Sequence, residues 1–263
     1  MNWKKHTFVI CAYGESPYLE ACIQSLKKQT LRSKILIATS TPNAQIEKMA
    51  ETYHLKLFVN PEPSQIARDW NFALSVAETP YVTLAHQDDL YFPDYTEQIC
   101  RAAAKSRRPL IFFTDYYEIR EGKTVRKNRL LQVKRLLLVP LRFRLLQKSP
   151  WVRRRVLSFG SSICCPSVTF AMEQLPMPLF REGYRCNVDW DAWERISREK
   201  GQFVYVNRPL MAHRIHPDSE TTHTITETGR GQEDFFMFRR FWPEKAAALI
   251  EKFYASSEKS NDL

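Results

Sequence analysis

Ala85-His86-Gln87-Asp88-Asp89-Leu90-Tyr91-Phe92-Pro93 follows directly on the apolar run Tyr81-Val82-Thr83-Leu84. A run of that length, entered through Thr79-Pro80, has the pattern of a buried strand, so an imidazole and two adjacent carboxylates are delivered at its carboxyl end. Like charges side by side raise one another's pKa unless a cation or a strong set of donors stands between them. A divalent metal carrying a phosphate is the usual answer. The alternative is a solvated turn with Asp at its cap, and taken alone the stretch does not separate the two.

The residues before it do. Thr7-Phe8-Val9-Ile10-Cys11-Ala12 is a strand run, broken by Tyr13-Gly14-Glu15-Ser16-Pro17 before a helix carrying Leu19, Cys22, Ile23 and Leu26. Ser16 is placed as its N-cap and Pro17 at its first position. Ile35-Leu36-Ile37-Ala38, ending in Thr39-Ser40-Thr41, is a second strand; a helix with Ile46, Met49 and Ala50 follows, then a strand over residues 55–59 and a helix over residues 66–77. Alternating strands and helices imply right-handed crossovers and a mostly parallel sheet, in which ligands sit beyond the carboxyl ends of the strands. Residues 12–15, 39–41 and 86–89 then share one rim, which favours the metal-phosphate reading over the capped turn.

Bulk composition narrows the classes. With 263 residues, 44% hydrophobic and 13% aromatic, the chain can bury a large core, and we read it as one domain rather than two. It enters its first strand without a basic-then-apolar leader, has no apolar stretch approaching the roughly 20 residues of a membrane span, and its six cysteines form no C-x-x-C pair. The expectation is a cytoplasmic protein with reduced cysteines. The formal charge is +10, but residues 122–158 hold twelve Lys and Arg and no Asp or Glu, so removing those twelve leaves the rest of the chain at −2. In that segment Val133, Leu136, Leu137, Leu138, Leu141, Leu145 and Leu146 alternate with basic residues, broken by Pro140 and Pro150, in the manner of short amphipathic helices. Three accounts fit it: a solvated face, an interfacial patch for anionic lipid, or a nucleic-acid surface. No groove-reading motif supports the third, and nucleic acid is not expected as a partner.

Phe8-Val9-Ile10-Cys11-Ala12-Tyr13-Gly14-Glu15-Ser16-Pro17-Tyr18-Leu19, Gln29-Thr30, and Ala85-His86-Gln87-Asp88-Asp89 with Pro93-Asp94-Tyr95 together resemble the inverting family-2 glycosyltransferases of GT-A fold. Gly14 stands where the family usually has Asn, and His86 where it has the first Asp of D-x-D-D. The resemblance implies a Rossmann-like GT-A sheet flanked by helices, divided into a nucleotide-sugar half (residues 6–118), a basic amphipathic insertion (119–160), an acceptor half (161–228) and a C-terminal helix and tail (229–263). It implies that Ala12, Tyr13, Glu15, Thr39, Asn71, His86, Gln87, Asp88 and Arg214 line the nucleotide-sugar site, and that Asp89 and His216 ligate Mn²⁺ or Mg²⁺. Thr39-Ser40-Thr41 replaces the Asp with which many members read the base, and Tyr13 is as readily a packed aromatic as a base-stacking one.

Arg185-Cys186-Asn187-Val188-Asp189-Trp190-Asp191 opens a helix with two acids in its first turn, where the helix dipole favours them as simple caps. The resemblance implies that Asp189 is the catalytic base, with Val188 in place of the family's Glu. Residues two apart on a helix point about 200° from each other, so Asp191 is expected to be the structural one, and Asp191→Asn to cost no more than about 1 kcal/mol of helix stability. Asp115, the one charge of a strand over residues 109–117, reaches the site or orients a neighbour. A strand over residues 203–206 precedes His213-Arg214-Ile215-His216; a zinc site from His213, His216 and His223 lacks a fourth ligand. Residues 232–254 read as one closing helix, and residues 256–263 as a fraying tail.

The function expected from the resemblance is metal-dependent transfer of a sugar, with inversion, from a nucleoside-diphosphate donor such as UDP to a glycan or lipid-linked hydroxyl acceptor in envelope or capsule polysaccharide assembly, at an anionic membrane surface. Of the competitors, a nucleotidyltransferase lacks its Gly-rich, Lys-containing phosphate loop. A catalytically silent GT-A-like scaffold remains as the alternative because of His86 and Val188.

Overall fold

The computed structural model describes residues 2–216 and 230–259. Among them one nine-stranded sheet runs in the order β3-β2-β1-β4-β8-β6-β9-β5, with β7 paired to β6. The strands are β1 (Asn2–Ala12), β2 (Arg32–Thr39), β3 (Lys56–Val59), β4 (Tyr81–His86), β5 (Leu90–Tyr91), β6 (Pro109–Arg120), β7 (Lys123–Val125), β8 (Val168–Ala171) and β9 (Gln202–Ile215). The first four strands pair in parallel through α1 (Leu19–Lys27), α2 (Ala44–Tyr53) and α3 (Ile66–Ser75), as their alternation with helices requires. β2 and β3 lie on one side of β1 and β4 on the other, so the chain reverses direction of travel between β1 and β4, and a crevice opens beyond their ends.

Side-chain alternation sorts the core into two layers. Phe8 and Ile10 of β1 and Ile37 of β2 pack with α1, α2 and α4 (Tyr95–Ala104); Val9, Leu36 and Ala38 face the other way, toward α3. The second layer also takes α6 (Pro150–Val156), α7 (Val188–Ile196), α8 (Arg230–Arg239) and α9 (Glu244–Lys259). The result is a mixed α/β fold with helices on both faces of a mostly parallel sheet.

Several boundaries depart from the sequence expectations. β9 runs fourteen residues because a register shift opposite Asp115 absorbs the extra residues before Pro209, where a single-sequence reading stops the strand at Val206. The closing helix is two helices, parted before Pro243, and the second continues to Lys259 rather than fraying from 256; residues 260–263 lie outside the described residues. Helix α1 starts at Leu19, with Tyr18 at its cap; the Ser16 hydroxyl accepts from the Tyr18 N–H instead, and the Ser16 backbone is gripped on both sides by Gln45.

The basic segment forms the expected short helices: α5 (Arg129–Leu137), single 3₁₀ turns at Val139–Arg142 and Leu146–Lys148, then α6. It is not uniformly a solvated face. Arg153 is fully buried and donates to the carbonyls of Gly201 and Glu199, burial pulling its pKa down to about 10. Arg154 pairs with Glu194 of α7. Arg135 grips the Asp115 carboxylate at 2.9 and 3.1 Å and the Tyr116 carbonyl, so Asp115 anchors α5 to β6.

Asp191 is fully buried between Arg195 (2.8 Å) and Arg240 (2.7 Å), and Arg240 also reaches Glu194. The expectation that Asp191 is a marginal helix cap is therefore corrected: it is one half of a buried ion pair that ties α7 to α8. Removing one partner of such a pair strands the other charge, so Asp191→Ala is expected to cost about 3–5 kcal/mol, read by urea denaturation at neutral pH. Burial raises the Glu194 pKa, but Arg198 and Arg154 outweigh it and hold the carboxyl below its usual range. Its stabilisation is thus present above the ordinary Glu value and is lost as pH falls through the depressed one.

Candidate active site

The rim is built by three turns that hold one another. Gly14, at φ +56°, takes the left-handed conformation that Gly and Asn tolerate best, and points its N–H at the Thr41 hydroxyl, 2.7 Å away. The Thr39 hydroxyl is buried and accepts from the Thr41 N–H, so Thr39 shapes this loop from within. Gln87 reaches across the crevice, its amide accepting from the Tyr13 N–H and donating to the Tyr13 carbonyl. Both ends of Gln87 are occupied in joining the ends of β1 and β4, which leaves Tyr13 and Glu15 exposed at the mouth and Ala12 packed beneath.

Asn71 is placed differently from the expectation. Its carboxamide donates to the Phe180 carbonyl and accepts from the Phe180 N–H, clipping α3 to a distant loop, and a ligand-facing role is left without support.

Asp89 is fully buried. Its carboxylate lies 3.0 and 3.2 Å from His213 Nδ1 and accepts the Arg214 N–H at 2.8 Å. Burial alone would lower the His213 pKa, but Asp89 outweighs it and holds the imidazole at about 9. Beside it, Asp88 Oδ2 lies 3.1 Å from His216 Nε2, and the Asp88 carbonyl accepts from the Arg214 guanidinium, which rests 4.2 Å over the Tyr18 ring. A zinc site is not assembled: His213 and His216 each hold a different carboxylate, and His223 lies outside the described residues.

His86 completes a cluster with Asp88 and Asp89 in which one ligand atom from each lies within 4.8 Å of the others. Its Nε2 is buried without a hydrogen-bond partner, its ring lies 5.3 Å from Trp70, and burial lowers its pKa despite the two acids nearby. The two carboxylates suit Mn²⁺ or Mg²⁺, and a buried imidazole with an unpartnered nitrogen adds a donor that Mn²⁺ accepts more readily than Mg²⁺.

Asp189 lies elsewhere on the rim, at the start of α7. Its carboxylate accepts the Trp190 N–H at 2.6 Å and approaches the Ser161 hydroxyl at 3.5 Å. Desolvation raises its pKa to about 6, against the lowering effects of Trp190, Lys134, Ser161 and Arg230. Between the two acid sites stand Cys164, half-buried, and Cys165, buried, whose thiol pKa values are raised first by desolvation and further by the charges of Asp89 and Asp189. Sequence reasoning missed Tyr18, Trp70, Ser161 and Lys134 here, because an aromatic, a serine or one lysine among twelve basic residues carries no local signal of where it points.

Comparison with solved structures defines the class. S. aureus TarS 1-349 in complex with UDP-GlcNAc superposes with a TM-score of 0.63 at 12% identity, over 94% of this chain and 70% of that one. Glucosyl-3-phosphoglycerate synthase from Mycobacterium tuberculosis, in complex with Mn²⁺ and UDP-glucose, gives 0.58 at 16%, over 91% and 80%. Mannosyltransferase PcManGT from Pyrobaculum calidifontis, in complex with GDP-Man and Mn²⁺, gives 0.62 at 12%, over 90% and 64%. At these identities the likeness is one of fold, and the fold is GT-A. Residues 7–168 match Glycosyl transferase family 2, and the chain belongs to that family. No curated protein sequence matches it.

Because Asp189 is a desolvated carboxyl with few compensating contacts, Asp189→Asn is expected to leave the melting temperature at neutral pH equal to or above that of the wild type. Differential scanning calorimetry of the two proteins checks this, and a drop of several degrees would make Asp189 a structural residue.

Proposed function

We propose that the protein transfers a sugar from a nucleoside-diphosphate donor, UDP-linked as in two of the three relatives above, to an acceptor hydroxyl with inversion at the anomeric carbon. The observation that carries this reading is the pairing on one rim of the His86-Asp88-Asp89 cluster with a second, separately held carboxyl, Asp189, whose pKa is raised into the range useful to a general base.

His86, Asp88 and Asp89 would hold Mn²⁺ or Mg²⁺, whose chemistry when bound is to stabilise charge on the departing diphosphate. Arg214, kept over Tyr18 by the Asp88 carbonyl, places a fixed cation beside the same group. Asp189 accepts the proton of the acceptor hydroxyl as the oxygen bonds to the anomeric carbon, and the bond to the diphosphate oxygen breaks on the opposite face. Asp189 works only when ionised, so the rate should fall about tenfold per pH unit below a midpoint near 6.

Release of UDP from a panel of UDP-sugars in the presence of Mn²⁺ tests the reaction. Asp88→Asn is expected to weaken Mn²⁺-dependent UDP binding at least tenfold, and Asp189→Asn to keep UDP affinity while losing about 10²- to 10⁴-fold in transfer. Turnover that survives chelation of divalent cations, or full activity in Asp189→Asn, would overturn the assignments. Absence of UDP binding by the wild type would favour the silent scaffold.

The basic segment supports a setting at an anionic membrane, with a lipid-linked acceptor in envelope polysaccharide assembly and a peripheral, cytoplasmic-face location. No helix among the described residues is long and apolar enough to cross a membrane. Yet among the described residues seven of the thirteen exposed large apolar side chains fall within residues 133–159, among them Leu145 (81% exposed), Leu136 (71%) and Trp151 (66%). Eight Lys and Arg between residues 122 and 158 are exposed beside them, with no acid in that stretch. Each basic residue at an anionic surface contributes about 1 kcal/mol, which salt screens. Flotation with phosphatidylglycerol vesicles is expected at low salt and should weaken steeply as salt rises; Leu145→Glu with Trp151→Glu should abolish it. No flotation at low salt would return these residues to the solvent.

A further inference from the structure

His86 is the last residue of β4, and the fold fixes both its backbone and its ring. The backbone pairs with Cys11 of β1, and the His86 carbonyl accepts from the Asp89 N–H at 3.2 Å and from the Cys22 thiol at 3.3 Å. The ring packs 5.3 Å from Trp70 at an interplanar angle of 33°. Trp70 is held in turn: it meets Phe180 edge-on at 5.0 Å, and its neighbour Asn71 clips the Phe180 backbone with two hydrogen bonds. The imidazole is thus anchored at its root and walled on one face, while its Nε2 is buried with no hydrogen-bond partner.

The three histidines around the two acids are not equivalent. His213 turns Nδ1 to the Asp89 carboxylate at 3.0 Å, and His216 turns Nε2 to Asp88 Oδ2 at 3.1 Å, so each is bound to oxygens that a cation would share. His86 Nε2 makes no such bond, yet a nitrogen of that ring and one oxygen from each acid lie within 4.8 Å of one another. Two ligands each about 2.1 Å from a shared ion stand about 3 to 4.2 Å apart, so small side-chain rotations close the group on a cation. A buried polar atom without a partner is destabilising unless something arrives to meet it.

The kind of donor decides which ion is favoured. Mg²⁺ is small, dehydrates reluctantly and demands an octahedron of oxygens, so an imidazole adds little to its binding. First-row divalent ions accept imidazole nitrogen beside carboxylate oxygen. An Asp at position 86 would supply a third oxygen and no such discrimination. We propose that His86 is a metal ligand and the residue that makes this site select Mn²⁺ over Mg²⁺. This rests on the reading that the cluster holds the cation, and it narrows that reading from either ion to one. It also moves the nitrogen ligand from His216, where the family resemblance puts it, to His86.

The probes are Mn²⁺ and Mg²⁺ alone, and then each with UDP, on the whole protein and on His86→Asp, His86→Gln and His216→Gln. Loss of the free-ion electron paramagnetic resonance signal counts bound Mn²⁺, and competition by Mg²⁺ gives the ratio of the two dissociation constants. In the wild type the ratio is expected to favour Mn²⁺ by at least about tenfold, to fall at least about fivefold in both His86 variants, and to stay within about twofold in His216→Gln. Pulsed resonance on the wild type with Mn²⁺ should also show a coupled nitrogen that is lost in His86→Asp and kept in His216→Gln. Equal discrimination by the wild type and the His86 variants overturns the proposal and leaves the metal reading standing. A nitrogen coupling that survives His86→Asp and vanishes in His216→Gln returns the ligand to His216 and overturns it equally. Should the His86 variants fail to fold, the wild type and His216→Gln still decide, because absence of a coupled nitrogen from the wild type, or its loss in His216→Gln, overturns the assignment. A wild type that binds neither ion, with or without UDP, sinks the metal reading and the selectivity together.

Discussion

The buried carboxylate of Asp89 is the contact on which the site depends. It sits at the turn after β4 with no exposure to solvent, and its charge is met by His213 and by the Arg214 N–H, both from the far end of β9. The short β5 strand continues the same junction, pairing Leu90 with Ala212 and Tyr91 with Met211. One ionic contact more than 120 residues apart in sequence thereby sets where Arg214 and His216 stand against Asp88 and Tyr18. These contacts are made by the chain's own side chains and backbone, so the arrangement is preorganised by the fold.

The two acids of α7 show how environment separates side chains that sequence places together. Asp189 and Asp191 share one helical turn and point to opposite sides. Asp191 meets Arg195 and Arg240 inside the fold, where two cations repay its desolvation. Asp189 meets a backbone N–H and a distant hydroxyl, so burial dominates and its pKa rises to about 6. One carboxylate joins helices, and the other keeps a raised proton affinity.

A comparable division runs through the basic segment. Arg153, Arg154 and Arg135 turn inward to carbonyls and carboxylates of β6, α7 and the loop at residue 200, while Arg142, Lys148 and Arg155 stay outside beside Leu145 and Trp151. The inward set fixes the segment rigidly, and the outward set leaves an apolar and cationic face with a defined shape. Net charge alone describes neither role.

The sequence by itself determined the alternation of strands and helices through the strand that ends before Asp88 and Asp89, the rim on which those acids sit, and the family resemblance. Those features are written in local periodicity and in short motifs, and periodicity reports which side of an element meets the core. The tertiary structure alone decided that β8 enters antiparallel between β4 and β6, and that β9 continues past Pro209 through a register shift. It also decided that Asn71, Thr39 and Gln87 spend their polar atoms on the fold, and that Lys134 turns in to the Tyr116 hydroxyl. The reason is the same in each case: the partner of a polar side chain is set by chain segments tens of residues away, and only closing the sheet brings those segments within hydrogen-bonding distance.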